Sequence, residues 1–527
     1  MSRVRAGLRF AFERLEALLG LAFPPAWNPL YHLGALGFFC YWIVAVSGIY
    51  LYVFFDTGVI AAYDSVEALT HGQWYAGGVM RSLHRYASDA LVAAMVVHLV
   101  REISLDRYRG PRWFIWVTGV PILWLVIAAG ITGYWLVWDK LAQYVAVVTT
   151  EWLDRLAIFG QSIARNFLAP DSLDNRFFTL LVFMHIAIPL ILLLVLWIHL
   201  QRVSRPQINP ARGLALGTFL AMLVLSLVKP ATSQGPADLA TVPAVVGLDW
   251  FYLGLYPLLE SWPGAASWGL VGALTLILIV LPWLPPLRRA PVARVDLANC
   301  NGCTRCANDC PYNAITMLPR TDGRAFEREA VVNPELCVSC GICAGACPTS
   351  MPFRRASELV PGIDLPSLSI AALRNKVHSA AGALSGSARV MVFGCDHGVE
   401  VAAVRGRRVA AISLACIGQL PPAFIDYVLS RDLAEGVLLT GCAEGVCRHR
   451  FGIAWTEARL AGERDPHLRA RVPRERLVTH WAGRRDNGAL EQAIREFAAR
   501  LEDLAAPRVE RRSPPPAAAG SRQAGHG

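Results

Sequence analysis

The sequence predicts an all-α membrane helical bundle of six spans, followed by a small α+β domain and a small α/β domain. Three observations carry this. The 527-residue chain is 54% hydrophobic and only 17% charged, with mean hydropathy +0.39, whereas soluble domains are about 25% charged. The apolar excess sits before residue 290, where the only cysteine is Cys40. The other twelve of 13 cysteines lie between Cys300 and Cys447, in a charged, Arg-rich stretch. This disfavours a wholly soluble multidomain enzyme. Cys-x2-Cys spacings exclude a disulfide-rich secreted protein, because they suit metal ligation in a reducing compartment.

Residues 1–22 carry Arg3, Arg5, Arg9 and Arg14 among apolar residues. They read as an amphipathic interfacial helix and not as a signal peptide, since no continuous apolar region or small-residue cleavage site follows. About 20 apolar residues are needed to cross a bilayer core of about 30 Å. Six runs qualify: 33–55, 77–101, 113–138, 177–200, 212–229 and 265–284. The loop from Arg101 to Arg112 also holds Arg107 and Arg109. Arg202, Arg205 and Arg212 follow the fourth run, and Arg288, Arg289 and Arg294 follow the last. The 56–75 and 230–263 loops hold no Lys or Arg, and the 139–176 loop is mixed. Positive charge on the cytoplasmic side then places the N-terminus and everything beyond residue 285 there. The net charge of +10 is assigned to these loops and an Arg-rich tail. No aromatic–basic interleaving points to nucleic acid.

The second run holds His84 and His98, the fourth His185 and His199, each pair 14 residues apart. That spacing is about 40° short of four full turns, so each pair shares a helix face about 21 Å apart along the axis. Two such helices side by side present two facing imidazole pairs, which suits bis-imidazole ligation of two haem irons. Ionisable residues inside spans are costly and usually functional. Gly34 and Gly48, and Gly119 and Gly133, repeat the same 14-residue period. Helix packing would explain small residues; the matched period favours clearance for two macrocycles.

On Arg81-x2-His84, the two His-x13-His pairs, the glycine pairs and Gly133-Tyr134, residues about 20–290 resemble the quinol-oxidising cytochrome b of cytochrome bc and b6f complexes. The resemblance implies two haems b, His84 pairing with His185 on the periplasmic side and His98 with His199 on the cytoplasmic side. It implies that Arg81 holds a haem propionate. In place of that family's Pro-Glu-Trp-Tyr motif stands Leu248-Asp249-Trp250-Phe251, and its Pro-Trp-Gly reads Val137-Trp138-Asp139. Asp249, with Tyr134, is the candidate quinol site, since a carboxylate can accept a quinol proton; an interfacial aromatic belt is the alternative. Arg202, Ser204 and Arg205 stand where the family lines its inner quinone site, but no acid opens the fifth span. His32 occupies the place of the cysteine that attaches an extra haem in the b6 branch. It cannot form a thioether, which leaves axial ligation, a quinone hydrogen bond or a plain interfacial histidine. The resemblance also admits a homodimer through this part.

Cys300-x2-Cys303-x2-Cys306-x3-Cys310-Pro311 is followed by Cys337-x2-Cys340-x2-Cys343-x3-Cys347-Pro348. This is the bacterial ferredoxin pattern twice over, an α+β ferredoxin-like domain. Cys347 is expected to complete the cluster of the first run and Cys310 that of the second, giving two [4Fe–4S] clusters. Structural zinc is the competing use of four thiolates.

Beyond residue 388, β-branched runs such as Val390–Phe393 and Gly436–Leu439 alternate with helical stretches, as in a small α/β unit. Cys395, Cys416, Cys442 and Cys447 follow such runs, so their thiols should gather at one rim of a parallel sheet. A [2Fe–2S] cluster suits them, with zinc as the alternative. Ala415-Cys416 and Gly441-Cys442-x4-Cys447-Arg448 resemble the delta subunit of methyl-viologen-reducing hydrogenase, which docks flavin-containing heterodisulfide-reductase-type partners. That family often has two cysteines near the first strand end. Here only Cys395 stands there, beside His397, which is not taken as a ligand. Neither a P-loop nor a Gly-x-Gly-x-x-Gly turn is found.

The expected boundaries are 1–22 for the amphipathic helix, 23–210 for the four-helix haem domain and 211–290 for two further spans. The ferredoxin domain takes 291–355, a linker 356–387, the [2Fe–2S] domain 388–500 and a disordered tail 501–527. Together these describe a multi-pass protein of a bacterial inner membrane with its iron–sulfur domains in the cytoplasm. Electrons would pass between the quinone pool and a soluble, flavin-containing heterodisulfide-reductase-like or other redox partner. The alternative is an anchor for such a complex without quinone chemistry of its own.

Overall fold

The computed structural model describes residues 2–156, 158, 161–168, 173–285, 291–355 and 359–505. Arg288 and Arg289, residues 356–358 of the expected linker, and residues 506–527 of the expected tail lie outside the described residues. The chain divides into two compact units, Met1–Cys340 with Leu365–Ser367, and Gly341–Asp364 with Leu368–Gly527.

The first unit opens with α1 (Ser2–Gly20) and continues through α2 (Leu33–Phe54), α3 (Val79–Ser104) and α4 (Trp113–Val137). Then come α5 (Lys140–Asp154), α6 (Asn175–Leu200), α7 (Arg212–Val228) and α8 (Gly264–Val280). Side chains mark where these helices begin. Asp139 accepts from the amide of Ala142 at the start of α5, and Asp174 caps α6 through the amides of Arg176 and Phe177. Each removes orphan donors from a helix terminus. Trp138 ends α4 in a left-handed conformation, φ +50°, with its ring buried.

Four segments are long and apolar enough to cross a bilayer: Leu33–Phe54, Gly110–Val137, Asn175–Leu200 and Gly264–Trp283. Two of the six expected spans fall outside this set. The 17-residue helix α7 measures about 26 Å, short of a core of about 30 Å. Helix α3 is long enough but carries Arg81, Arg85, Asp89, Arg101 and Glu102. Those charges are answered inside the protein. Arg81 meets Glu67, Arg85 meets Asp89 and Asp249, and Arg101 meets Glu16 of α1 at 2.8 Å. The apolar helices expose large side chains outward, among them Ile49 (67%), Val53 (68%) and Leu190 (62%). An apolar surface of that extent is unusual in water and natural against lipid.

Packing joins the helices in pairs, α2 with α3 and α4 with α6. Each histidine-bearing helix therefore lies along one of the two helices with paired glycines. Cys40 is buried between them with Tyr41, Leu91, Ile122, Val126 and Leu192. After α8 the unit ends in a two-stranded antiparallel hairpin, β1 (Ile315–Pro319) with β2 (Arg328–Val332), in register Ile315 to Val332.

The second unit carries α9 (Ile370–Gly382), within the stretch expected as linker, and a four-stranded parallel sheet. Its strands are β3 (Val390–Cys395), β4 (Val409–Leu414), β5 (Gly436–Leu439) and β6 (Leu477–Thr479), in the order β4-β3-β5-β6. Helices α10 (Ala423–Ser430), α11 (Gly452–Ala461) and α12 (Asn487–Ala505) complete it. The strands are buried almost throughout, as befits a parallel sheet covered on both faces. Residues 501–505 of the expected tail are the last turn of α12.

Candidate functional site

The ring centroids of His84 on α3 and His185 on α6 lie 6.3 Å apart, their planes at 61°. Two metal–nitrogen bonds of about 2 Å, plus about 1 Å from nitrogen to ring centre on each side, span roughly 6 Å. The pair is thus spaced for one metal ion between the rings. His98 and His199 are within electrostatic reach of each other at the other end of the same helices.

Hydrogen bonds decide which ring nitrogen is presented. Nδ1 of His84 lies 3.0 Å from the carbonyl of Val44, which can only accept, so Nδ1 carries the proton. Thr132 Oγ1 is 3.0 Å from Nδ1 of His185, and Thr118 Oγ1 is 3.0 Å from Nδ1 of His199. Both hydroxyls donate to carbonyls one turn back, Thr132 to Ala128 and Ala129, Thr118 to Phe114 and Ile115. They therefore accept from Nδ1–H, leaving Nε2 with its lone pair to ligate. These hydroxyls escaped the sequence reading, although a signal existed: Ser47-Gly48, Thr118-Gly119 and Thr132-Gly133 are three Ser/Thr-Gly pairs among the four periodic glycines. Ser47 is likewise 3.2 Å from Nδ1 of His84.

The glycines face the histidines. A Cβ at Gly48 would come 2.9 Å from Cε1 of His84, at Gly133 3.0 Å from that of His185, at Gly119 3.5 Å from His199 and at Gly34 3.8 Å from His98. The clearance first expected for macrocycles is thus used, in this structure, by the imidazoles. Donor type, tautomer and ring separation all fit bis-histidine haem.

Tyr134 and Asp249, predicted far apart in sequence, come together: the tyrosine hydroxyl donates to Asp249 Oδ2 at 2.5 Å. The same carboxylate also receives Arg85, whose guanidinium stacks 4.9 Å over the Tyr134 ring, and the amide of Phe251 at 3.0 Å. Sequence reasoning missed Arg85, which adjoins the candidate ligand His84. Arg81 is engaged by Glu67, Thr70 and Ser233. On the opposite side, Arg202 stacks 4.8 Å over Phe114, Ser204 is buried and Arg205 adopts φ +46°. His32 opens α2, and its Nε2 has no hydrogen-bond partner among the described residues.

In the thiol runs, the residues two and four beyond each leading cysteine are left-handed: Gly302 and Thr304 after Cys300, Ser339 and Gly341 after Cys337. Both loops thus share the same pair of left-handed positions. The Cys310 thiol accepts from the amide of Ala314 at 3.2 Å, and burial pushes its pKa up.

In the second unit Cys395 ends β3, Cys416 follows β4 and Cys442 follows β5. These are the carboxyl ends on either side of the central strand β3, where the winding of a parallel sheet reverses and a crevice opens. Cys395 and Cys442 sulfurs lie 3.8 Å apart, and this contact pushes the Cys442 thiol up to about 11. Amides of His397 and Arg448 donate to Cys395 and Cys442. A Cβ at Gly452 would collide with the Cys416 sulfur and lie 3.5 Å from that of Cys447, so Cys416 and Cys447 share the start of α11. Rings of His397 and His449 pack beside them, centroids 5.3 Å apart. Among the described residues no trio of His, Cys, Asp or Glu closes on a single metal ion.

Three family models match this chain. Cytochrome b/b6/petB matches residues 18–206, the 4Fe-4S dicluster domain 299–351, and the methyl-viologen-reducing hydrogenase delta subunit 398–505. The first spans all four histidines and the second all eight cysteines of the paired runs. The third includes Cys416, Cys442 and Cys447 and begins beyond Cys395. Cytochrome b of Acanthamoeba castellanii is 27% identical over 293 residues, covering 50% of this chain and 74% of that protein. Cytochrome b of Rhodospirillum rubrum is 27% identical over 290 residues, covering 49% and 70%. A solved structure described as hyperthermophilic respiratory complex III aligns at 22% identity and TM-score 0.39, covering 48% of this chain and 75% of that one. In chain order, then, the chain is similar first to cytochrome b, next to a 4Fe-4S dicluster domain and last to the delta subunit of methyl-viologen-reducing hydrogenase.

Proposed function

We propose that this protein links the quinone pool, through two haems b, to two [4Fe–4S] clusters, one [2Fe–2S] cluster and a soluble redox partner. The observation that carries the reading is the His84–His185 pair, 6.3 Å apart with the His84 tautomer set by Val44. His84 with His185 and His98 with His199 would hold the haems. Cys300, Cys303, Cys306 and Cys347 would hold one [4Fe–4S] cluster, and Cys337, Cys340, Cys343 and Cys310 the other. Cys395, Cys416, Cys442 and Cys447 would hold the [2Fe–2S] cluster. When bound, these groups take up and release single electrons; the chain fixes their ligands, tautomers and order. Six spans with a cytoplasmic C-terminal half accord with the loop charges. The distal domain would then meet a cytoplasmic partner of the flavin-containing heterodisulfide-reductase type.

Asp249 and Tyr134 are the candidate quinol groups on the outer side. Electron movement inward from there opposes the usual membrane potential by about 2.3 kcal/mol per 100 mV for full crossing. Inward transfer would accordingly depend on proton-motive force. Turnover in sealed vesicles tests this: an uncoupler should abolish quinol-driven reduction of the cytoplasmic acceptor. Indifference to uncoupler overturns the driven direction.

A second reading rests on Arg85. Because Arg85 and Tyr134 both engage Asp249, the carboxylate is a weak proton acceptor until they release it. The membrane half would then serve as an anchor for a soluble complex. Asp249→Asn separates the readings. It should abolish haem reduction by quinol if Asp249 is the base, and leave it unchanged if the half is an anchor.

A further inference from the structure

Within the first unit Arg112 links the bundle to the thiol-bearing segment. Arg112, at the start of α4, donates from Nη2 to the Tyr312 hydroxyl at 3.1 Å and lies 5.6 Å over the Tyr312 ring. Tyr312 is two residues beyond Cys310. Six residues along α4 from Arg112, about 9 Å of rise, Thr118 holds Nδ1 of His199. Neighbouring contacts brace this seam. Arg109 donates to the carbonyl of Leu284 at 2.8 Å, Trp116 to that of Leu278 at 2.6 Å, and the Trp113 and Trp283 rings are 5.5 Å apart. They clamp the end of α8, from which the chain leads to Cys300, against the start of α4. The loop charges marked Arg112 only as one positive charge among several; the fold gives it a specific partner.

We propose that Arg112 is a positioning residue that docks the Cys310 segment on the haem helix and raises the reduction potential of the cluster held by Cys310 and Cys337. This rests on the cluster assignment above. A cluster becomes more negative when it takes an electron, so a nearby fixed positive charge favours its reduced state. Glu102 offsets part of that charge but is shared with Arg101 and Arg107, which keeps the neighbourhood positive. The other cluster has an arginine of its own, since Arg320 Nη1 donates to the carbonyl of Cys300 at 2.6 Å. Arg112 meets Tyr312, two residues beyond Cys310, so its effect is greatest on the cluster that Cys310 completes.

The test is a redox titration of the full-length, cluster-loaded protein in detergent, followed by electron paramagnetic resonance to resolve the two [4Fe–4S] signals. Arg112→Gln should lower the reduced-to-oxidised ratio of one cluster threefold or more at fixed potential, about 28 mV at 59 mV per tenfold for one electron. The other cluster should move less. Arg112→Lys, which keeps the charge, should restore most of the shift. Tyr312→Phe removes one oxygen and should shift the same cluster by less. It also serves as the test where Arg112→Gln fails to assemble. Unchanged potentials, or equal shifts in both clusters, overturn the proposal. Wild-type protein that binds no iron–sulfur clusters overturns the underlying assignment instead, so the two failures are distinguishable.

Discussion

Gly48 and His84 are in such close contact that a single methyl group at position 48 would stand 2.9 Å from Cε1 of the imidazole. The ring cannot yield freely, because its Nδ1 is tied to Val44 and Ser47. Gly48→Ala should therefore displace His84 from the line to His185 and cost the haem proposed for that pair, leaving the one proposed for His98 and His199 in place. Haem-to-protein ratio and optical redox titration check this. Ala at position 34, where the corresponding distance is 3.8 Å, should be tolerated.

Glu16 of α1 and Arg101 of α3 form a buried ion pair, each side chain less than a tenth exposed. Removing one partner strands the other charge. Glu16→Ala should cost about 3–5 kcal/mol of stability and release α1 from the bundle. Thermal unfolding in detergent and proteolysis within α1 report both. Replacing both residues with leucine should recover most of the loss.

Gly452 opens α11 against the sulfurs of Cys416 and Cys447. Gly452→Ala should prevent the four thiols from converging while leaving the two [4Fe–4S] clusters. Iron and sulfide analysis should then show loss of the iron of the distal cluster alone. Loss of zinc with iron unchanged would instead identify the distal site as zinc.

Asp139 is 6% exposed, and burial raises its carboxyl pKa above the ordinary value. A carboxyl raised on folding binds its proton more tightly in the folded state. It therefore favours folding below the unfolded value of about 4 and loses that contribution as pH rises through the folded value. Asn carries no charge to bury, but its amide nitrogen cannot accept from the Gln234 amide as Oδ2 of Asp139 does at 2.9 Å. Asp139→Asn should therefore lose that hydrogen bond at every pH, while its stability relative to wild type should rise as pH goes from 4 to 7. Melting temperatures at pH 7 and pH 4 check the sign.

Much of the site could be read in the chain because its spacing is local. Histidines 14 apart on one helix share a face whatever surrounds them, and paired Cys-x2-Cys runs declare their ligation without reference to the fold. The Ser/Thr-Gly pairs were visible too, but their meaning depends on which helix lies opposite. Span counting succeeded where a helix is apolar all round. It is less direct for α3, whose charges find partners in Glu67, Asp249 and Glu16, residues that only folding brings near.

By itself, then, the sequence singled out the candidate ligand residues and their order along the chain, because each candidate set stands out in short-range periodicity. The tertiary structure decided the rest: which nitrogen each of three histidines presents, that Asp249 is held by Arg85 and Tyr134, and that Arg112 meets Tyr312. These contacts join residues from 40 to 200 positions apart. At such separations no local pattern constrains them, and only the packing of one helix against another brings them within hydrogen-bonding range.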